Sequence, residues 1–443
     1  MSHLWRKILF AVFAIGFLIT APLVVFYTAG YRYEFGSSRI VKAGVLSATS
    51  IPKGASVILN SVLSDKKTPA IIDNILPGQV KIKLEKAGYT SWEKTLPIVS
   101  GQSTFIPNAI LFLDGQPTQI VDQTTVLAVA VQNSSRIAFL ANNKGALEVW
   151  LKEDTSSQNK LLLQRPLKTK SLYSITWSPD GAYLLLKESG SKNIFTLLRI
   201  SDQTIINIPS KSLSEAWFDV GSAHTLIYRT GTELHAFGID TDVTIPKNVI
   251  ADDLQIKDGK ILAVQSSHQS VLSYLDENGI ASIIAYLPLG KYRFLHAPSP
   301  SLLLEDVSRH HIILLDPNKK NPLLLNEEAL FSKWSAKEDH LLFSNGFDIK
   351  IYTSSTDQTE TITRFSEPLT DLAWYPLGDE ILYGRETVLN ALELDRRDER
   401  NETKLVDGYA IKNIWVNKDG SRLFFFGQKG NDPATIFERV LQK

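Results

Sequence analysis

Trp177-Ser178-Pro179-Asp180-Gly181 reads as the last residue of a strand followed by a turn. Proline presets φ, aspartate bonds the backbone two residues on, and glycine reaches positive φ without steric cost. The apolar stretch Ala182-Tyr183-Leu184-Leu185-Leu186 then continues as the next strand. Trp217, Trp334, Trp374 and Trp415 stand in the corresponding place, at spacings of 40, 117, 40 and 41 residues, and 117 is three repeats of 39. A repeat of about 40 residues holding several short strands is the signature of a β-propeller blade.

The phase counts the units. Eight repeats of about 40 residues account for nearly all of residues 114–443, and seven is the alternative. The first unit, 126–165, lacks the tryptophan but keeps strand, turn (Gln132-Asn133-Ser134-Ser135) and strand; the fourth has Ile256 at the tryptophan's place; the fifth keeps strand and turn through 293–300. The last unit shows three strands, near 412–416, 422–427 and 435–441. Its fourth is expected from Thr118-Gln119-Ile120-Val121-Asp122, which would close the ring and pair both free edges. The phased tryptophans are expected to pack between neighbouring blades rather than to form an aromatic binding box. The Ser178-Pro179-Asp180-Gly181 and Asn417-Lys418-Asp419-Gly420 turns resemble those of TolB-type and WD-like propellers, a pattern kept only loosely at Ala336-Lys337-Glu338 and Pro376-Leu377-Gly378.

At the other end, Ile8 to Tyr27 is a run of 20 residues without a charge. At about 1.5 Å per residue it matches a bilayer core of about 30 Å. Arg6 and Lys7 precede it and the next cation is Arg32, so the positive-inside bias places the N-terminus in the cytoplasm and the rest outside. The run is longer than the apolar core of a signal peptide, and Tyr27-Thr28-Ala29 lacks the small residue wanted before a cut, so an uncleaved anchor over 8–28 is expected ahead of a cleaved signal. Tyr27, Tyr31 and Tyr33 fit the aromatic belt of the outer interface.

A connector, 29–44, leads to a module with turn signals at short intervals: Pro52-Lys53-Gly54, Ser64-Asp65-Lys66-Lys67, Leu76-Pro77-Gly78, Lys86-Ala87-Gly88 and Val99-Ser100-Gly101. Val80, Ile82 and Leu84 alternate with Lys81, Lys83 and Glu85, the period of a strand buried on one face. A small antiparallel β-sandwich over 45–113 follows. Ser50-Ile51-Pro52-Lys53-Gly54-Ala55-Ser56-Val57 resembles the signature of the PEGA domain, with Lys53 in place of the glutamate that gives the family its name. Thr68-Pro69-Ala70, Leu76-Pro77-Gly78, Lys86-Ala87-Gly88-Tyr89 and the strand from Trp92 resemble its later landmarks in order. The resemblance implies a small immunoglobulin-like module of surface and envelope proteins and no activity. Tyr89 and Trp92 are expected to pack the sandwich rather than to offer a sugar platform. Seven basic and four acidic residues in 45–113 suggest that the module lies near an anionic membrane surface or wall polymer, through Lys66, Lys67 and Lys81.

Over the whole chain 47 basic residues balance 47 acidic ones, and 114–443 holds 35 basic against 42 acidic, which disfavours a nucleic-acid partner. Cysteine is absent, which excludes disulfides, thiolate metal sites and a cysteine nucleophile. No G-x-S-x-G, H-E-x-x-H, P-loop or dinucleotide fingerprint occurs. His310-His311 beside Glu305 and Asp306 is the one metal-like group; adjacent strand residues point to opposite faces, so a packing or surface role is expected. The run Asp395 to Glu402 reads as a solvated loop. No catalytic, cofactor-binding or metal-ligating residue is therefore assigned. The expected function is that of a single-pass, membrane-anchored, extracytoplasmic binding or scaffold protein of the cell envelope. Its propeller loops and channel mouth would meet an envelope protein or a polysaccharide. The alternative is an envelope hydrolase or lyase with carboxylates at that mouth, and convergent perturbed carboxylates would favour it.

Overall fold

In the computed structural model the described residues are 3–34, 38–121, 125–130, 136–153, 158–168, 170–210, 212–240, 245 and 248–443. The expected turn 132–135 and Asp122 lie outside them. The chain is mostly strand, with one apolar N-terminal helix. That helix, His3–Thr28, is a continuous rod through Pro22. Its stretch Trp5–Thr28 is long and apolar enough to cross a bilayer, and none of its side chains is buried. Beyond it Tyr31–Glu34 pairs antiparallel with Arg39–Lys42. The Ala43 N–H then donates to the Gly30 carbonyl at 2.8 Å, which returns the chain to the helix end.

Next come two facing sheets. Gly44–Ile51 pairs with Ala70–Ile75 and, in parallel, with Ser103–Ile110; Ser56–Leu59 lies between Val62–Lys67 and Gly78–Glu85, and Trp92–Ile98 borders the latter. The alternation seen in the sequence is reproduced as burial: Val80, Ile82 and Leu84 point inward, against Leu46, Val57, Trp92, Leu96 and Ile106. Burying a side chain of this size contributes about 1.5–3 kcal/mol, and a module of this length has little else to hold it. Leu111 ends this core, and Phe112, one residue on, belongs to the next one.

From Thr125 the chain forms a β-propeller of successive antiparallel sheets. Among the described residues there are eight, each of four strands except the third, which has three. Their first strands are Thr125–Ala130, Leu172–Trp177, Glu215–Phe218, Asp253–Lys257, Tyr292–Leu295, Phe331–Trp334, Leu369–Trp374 and Tyr409–Val416. In the eighth sheet Thr118–Gln119 pairs antiparallel with Thr435–Val440, and the Ile120 N–H continues the ladder to the Ile436 carbonyl at 3.1 Å. A strand from the start of the region thus completes its last sheet.

The tryptophans divide into two classes that the spacing does not separate. Trp177, Trp334 and Trp374 occupy the terminal cross-strand pair of their first strands, opposite Leu184, Leu341 and Ile381. In the third and eighth sheets that terminal pair is Phe218 with Leu226 and Val416 with Leu423, so Trp217 and Trp415 sit one residue earlier and on the other face. A shift of one residue turns a strand side chain to the opposite face. Accordingly the indole N–H of Trp177, Trp334 and Trp374 reaches backward, to the carbonyls of Val129, His296 and Lys333 in the preceding sheet, at 3.2, 2.9 and 2.9 Å. Trp217 reaches forward, to Asp253 at 2.7 Å, and Trp415 packs forward against Ala128 and Phe139 of the first sheet.

Candidate binding site at the channel mouth

The first strands converge on a cavity of about 650 Å³ at the end where the turns lie. Val129, Ile175, Trp177, Trp217, His296 and Trp334 line it, drawn from the first, second, third, fifth and sixth sheets. Three of the five phased tryptophans therefore show an edge or a face to this cavity while packing their neighbours. The expectation that they are packing residues alone is too narrow: a side chain at the end of an innermost strand meets both the adjoining sheet and the channel.

Local chemistry fixes the turns that rim the mouth. In the second sheet Ser178 Oγ donates to Asp180 Oδ1 at 2.6 Å and accepts the Tyr183 N–H at 2.9 Å, while Gly181 sits at φ +71°. Burial raises the Asp180 carboxyl, but bonds from Ser178, the Ala182 N–H and His224 outweigh it and hold the group below its usual range. The eighth sheet repeats the turn with Gly420 at φ +70°. In the sixth sheet the Glu338 N–H closes the same turn onto the Ser335 carbonyl at 2.9 Å, as Gly181 does onto Ser178. Glu338 adopts φ +58° there, a region that costs a side chain about 1–2 kcal/mol. Its carboxylate lies 2.7 Å from His296 Nε2, so the strained residue and the histidine of the preceding sheet form one polar group on the cavity's rim.

Three carboxylates staple a sheet to the next. Asp219 accepts the N–H of Ile256 at 3.0 Å, Asp253 that of Phe294 at 2.7 Å, and Asp371 that of Ile414 at 2.7 Å. In each case the acceptor satisfies a main-chain N–H on the first strand of the following sheet, which has no neighbouring strand on its channel side. Burial pushes Asp253 up to about 7 against bonds from Phe294, Leu254 and Trp217; burial likewise raises Asp219 to about 7, with the Asp253 charge adding to it. These two carboxyls carry perturbed proton affinities, yet their oxygens are spent on N–H donors and neither borders the mouth cavity. Among the described residues no group of three or more histidines and carboxylates could hold a metal ion.

His310 and His311 are placed differently from expectation. His310 lies in a turn at φ +55° rather than on a strand, and only His311 begins one. Asp306 is engaged by Ser308 and Glu305 by Arg293.

The run 395–402 is the larger correction, because it is part of a domain interface. Asp398 accepts the Thr95 N–H at 2.6 Å, and Arg397 donates to the Phe105 carbonyl at 2.8 Å. Thr95 and Phe105 lie on one edge strand of each of the sandwich's two sheets, so this loop caps edges that would otherwise template pairing. Lys94, with a wholly buried side chain, bonds the Asp395 carbonyl at 2.6 Å and faces Glu393 at 3.2 Å. Arg439 donates to the carbonyls of Gly115, Leu113 and Leu405 and so clamps the segment that joins the two domains. Phe112 stacks edge-on against Tyr375 at 5.2 Å. Residues 43–108 match the PEGA domain family. This module is a PEGA domain. Pro107 and Asn108 of its strand Ser103–Ile110 border a further cavity that Ser335 and Ala336 also line; those two residues line the channel mouth as well, so the mouth opens beside the PEGA domain.

No curated protein matches the chain. Among solved structures, Saccharomyces cerevisiae Sqt1 aligns over 74% of this chain and 98% of its own, at 8% identity and a TM-score of 0.47. An oligogalacturonate lyase in complex with manganese aligns over 75% and 96%, at 10% identity and 0.45. The WD40 repeats of RRP9 align over 75% and 97%, at 11% identity and 0.40. These likenesses concern the path of the chain and bear on no activity.

Proposed function

We propose that the protein is a membrane-anchored, extracytoplasmic binding or scaffold protein of the cell envelope, held by residues 8–28 with its N-terminus in the cytoplasm. The eight sheets support an eight-bladed ring spanning 114–443, which presents its channel mouth to a protein or polysaccharide partner. The observation that carries this reading is the mouth cavity itself: large enough for a small ligand, walled by Trp177, Trp217 and Trp334, and offering one polar pair, His296 and Glu338. Aromatic faces with few polar groups suit recognition of a sugar ring or an aromatic side chain. The hydrolase or lyase reading finds less support, since none of the carboxyls raised by burial lines the mouth cavity: Asp219 and Asp253 serve as sheet-to-sheet acceptors, and Glu380 lies in a separate cavity at the seventh sheet.

The test is titration of the detergent-solubilised full chain with wall-glycan oligosaccharides and with short peptides, following tryptophan fluorescence. Saturable quenching that Trp334→Leu abolishes supports the reading. Turnover of the oligosaccharide, or no saturable response to either ligand class, overturns it.

A further inference from the structure

The sandwich has two ends, and its turns alternate between them. The turns at 52–55, 68–69 and 86–91 lie toward the propeller; those at 60–61, 76–77 and 99–102 lie toward the membrane helix. The second end is tied to the helix by several contacts. Ser100 Oγ donates to the Lys42 carbonyl at 3.0 Å, beside the bond from Ala43 to Gly30. Arg32 stacks on the Tyr27 ring at 3.8 Å and also bonds the side chain of Asn74, two residues before Leu76. The 76–77 turn is therefore level with the aromatic residues that close the helix.

Exposed apolar side chains follow the same division. Next to the helix-side turns stand Val62, Leu63, Leu76 and Val99, exposed by 69, 65, 42 and 44%. Beside the propeller-side turns the one exposed large apolar side chain among the described residues is Ile71, at 63%, against four at the other end. The lysines do not mark this end: Lys53, Lys66, Lys67 and Lys86 stand at or beside the propeller-side turns, and Lys81 pairs with Glu93 at 2.7 Å.

We infer that the helix-side end of the PEGA domain rests in the interfacial zone of the lipid bilayer, with Leu63, Leu76 and Val99 in contact with lipid. The occupant of this apolar end is the membrane itself, and the attraction is apolar rather than ionic. The inference rests on the reading of Trp5–Thr28 as a membrane span. Two attachments, a helix and a set of loop tips, then fix the domain's tilt, as one point cannot.

The chain has no cysteine, so single introduced cysteines report without background. Leu63→Cys, Leu76→Cys and Val99→Cys variants of the full chain, together with Phe17→Cys and Lys53→Cys, are spin-labelled and reconstituted in phosphatidylcholine nanodiscs. Accessibility to oxygen and to a water-soluble nickel chelate is then compared. The expected result is a several-fold excess of oxygen over chelate accessibility at 63, 76 and 99, as at 17, with the reverse at 53. Aqueous labels at 63, 76 and 99 with a lipid-exposed label at 17 overturn the inference and leave the anchor standing. An aqueous label at 17 overturns the anchor and the inference with it.

Discussion

The indole N–H of Trp92 donates to the Glu393 carboxylate at 3.1 Å, across the boundary between the PEGA domain and the seventh propeller sheet. Lys94, two residues along the same strand, holds the other oxygen at 3.2 Å from within a fully buried position. Asn401 completes the carboxylate's partners at 2.9 Å. One side chain of the propeller is thus satisfied chiefly by the other domain.

Removing the cation alone leaves the buried Glu393 with only the neutral donors Trp92 and Asn401. Lys94→Ala is expected to cost about 3–5 kcal/mol, whereas an exposed control such as Lys67→Ala changes little. Urea unfolding of the detergent-solubilised chain measures this; equal midpoints for the two variants would show that the interface does not carry stability.

The two tryptophan classes differ in what they leave behind. Trp374→Phe keeps the ring and orphans only the Lys333 carbonyl, for about 1 kcal/mol. Trp217→Phe strips a donor from a buried carboxyl, Asp253, and is expected to cost about 2 kcal/mol. Identical losses in chemical denaturation would contradict the division into backward and forward tryptophans.

Glu338 holds a glycine's conformation at the channel mouth. Glu338→Gly relieves the backbone while freeing the chain in the unfolded state, and a net gain of about 0.5–1 kcal/mol is expected. The same variant removes the partner of His296, so any ligand recognised at the mouth is held less tightly. A gain in melting temperature paired with weaker binding marks strain kept for recognition; a loss in melting temperature would argue that the contact with His296 matters more to the fold than to a ligand.

Stability should fall as pH rises through the weakly acidic range. Asp219 and Asp253 are both raised by burial to about 7, and burial together with Glu393 and Asp379 raises Glu380 well above its ordinary value. Between the unfolded value of about 4 and the folded value the native state binds more protons than the unfolded one, so each unit of pH subtracts stability there. Glu380 has a buried oxygen with no hydrogen-bond partner, and Glu380→Gln removes its charge without changing its shape. Thermal melts from pH 4.5 to 8 should show a decline for the natural chain and a shallower one for Glu380→Gln, with the variant the more stable at pH 8. A flat profile, or a rise toward pH 8, would refute the assignment.

The architecture was legible because it depends on residues with strong local preferences. Gly54, Gly181 and Gly420 mark turns by backbone geometry, and alternation in 80–85 marks a half-buried strand whatever its surroundings. The face of a tryptophan was not legible from the spacing, because one more paired residue, Phe218 in the third sheet and Val416 in the eighth, turns it to the other face without disturbing a spacing of about 40. The role of 395–402 was hidden for a related reason. A mixed-charge run has the composition of a solvated loop, and only its partners on strands some 300 residues earlier turn it into an interface. His296 and Glu338 carry no motif; the single hint was a glutamate in a turn that elsewhere ends in glycine.

The pairing of Thr118 with Glu438, 320 residues apart, also sets an order in time. As the chain emerges, its first propeller strand is available long before its partner exists, while every intervening sheet can form from neighbours already made. Closure is then the last event, and until it occurs two unpaired sheet edges wait in the open. An assisting protein that shields such edges would have its work between the synthesis of residue 119 and that of residue 435. A variant slow to close, rather than one weak once closed, is the kind that would be lost to aggregation.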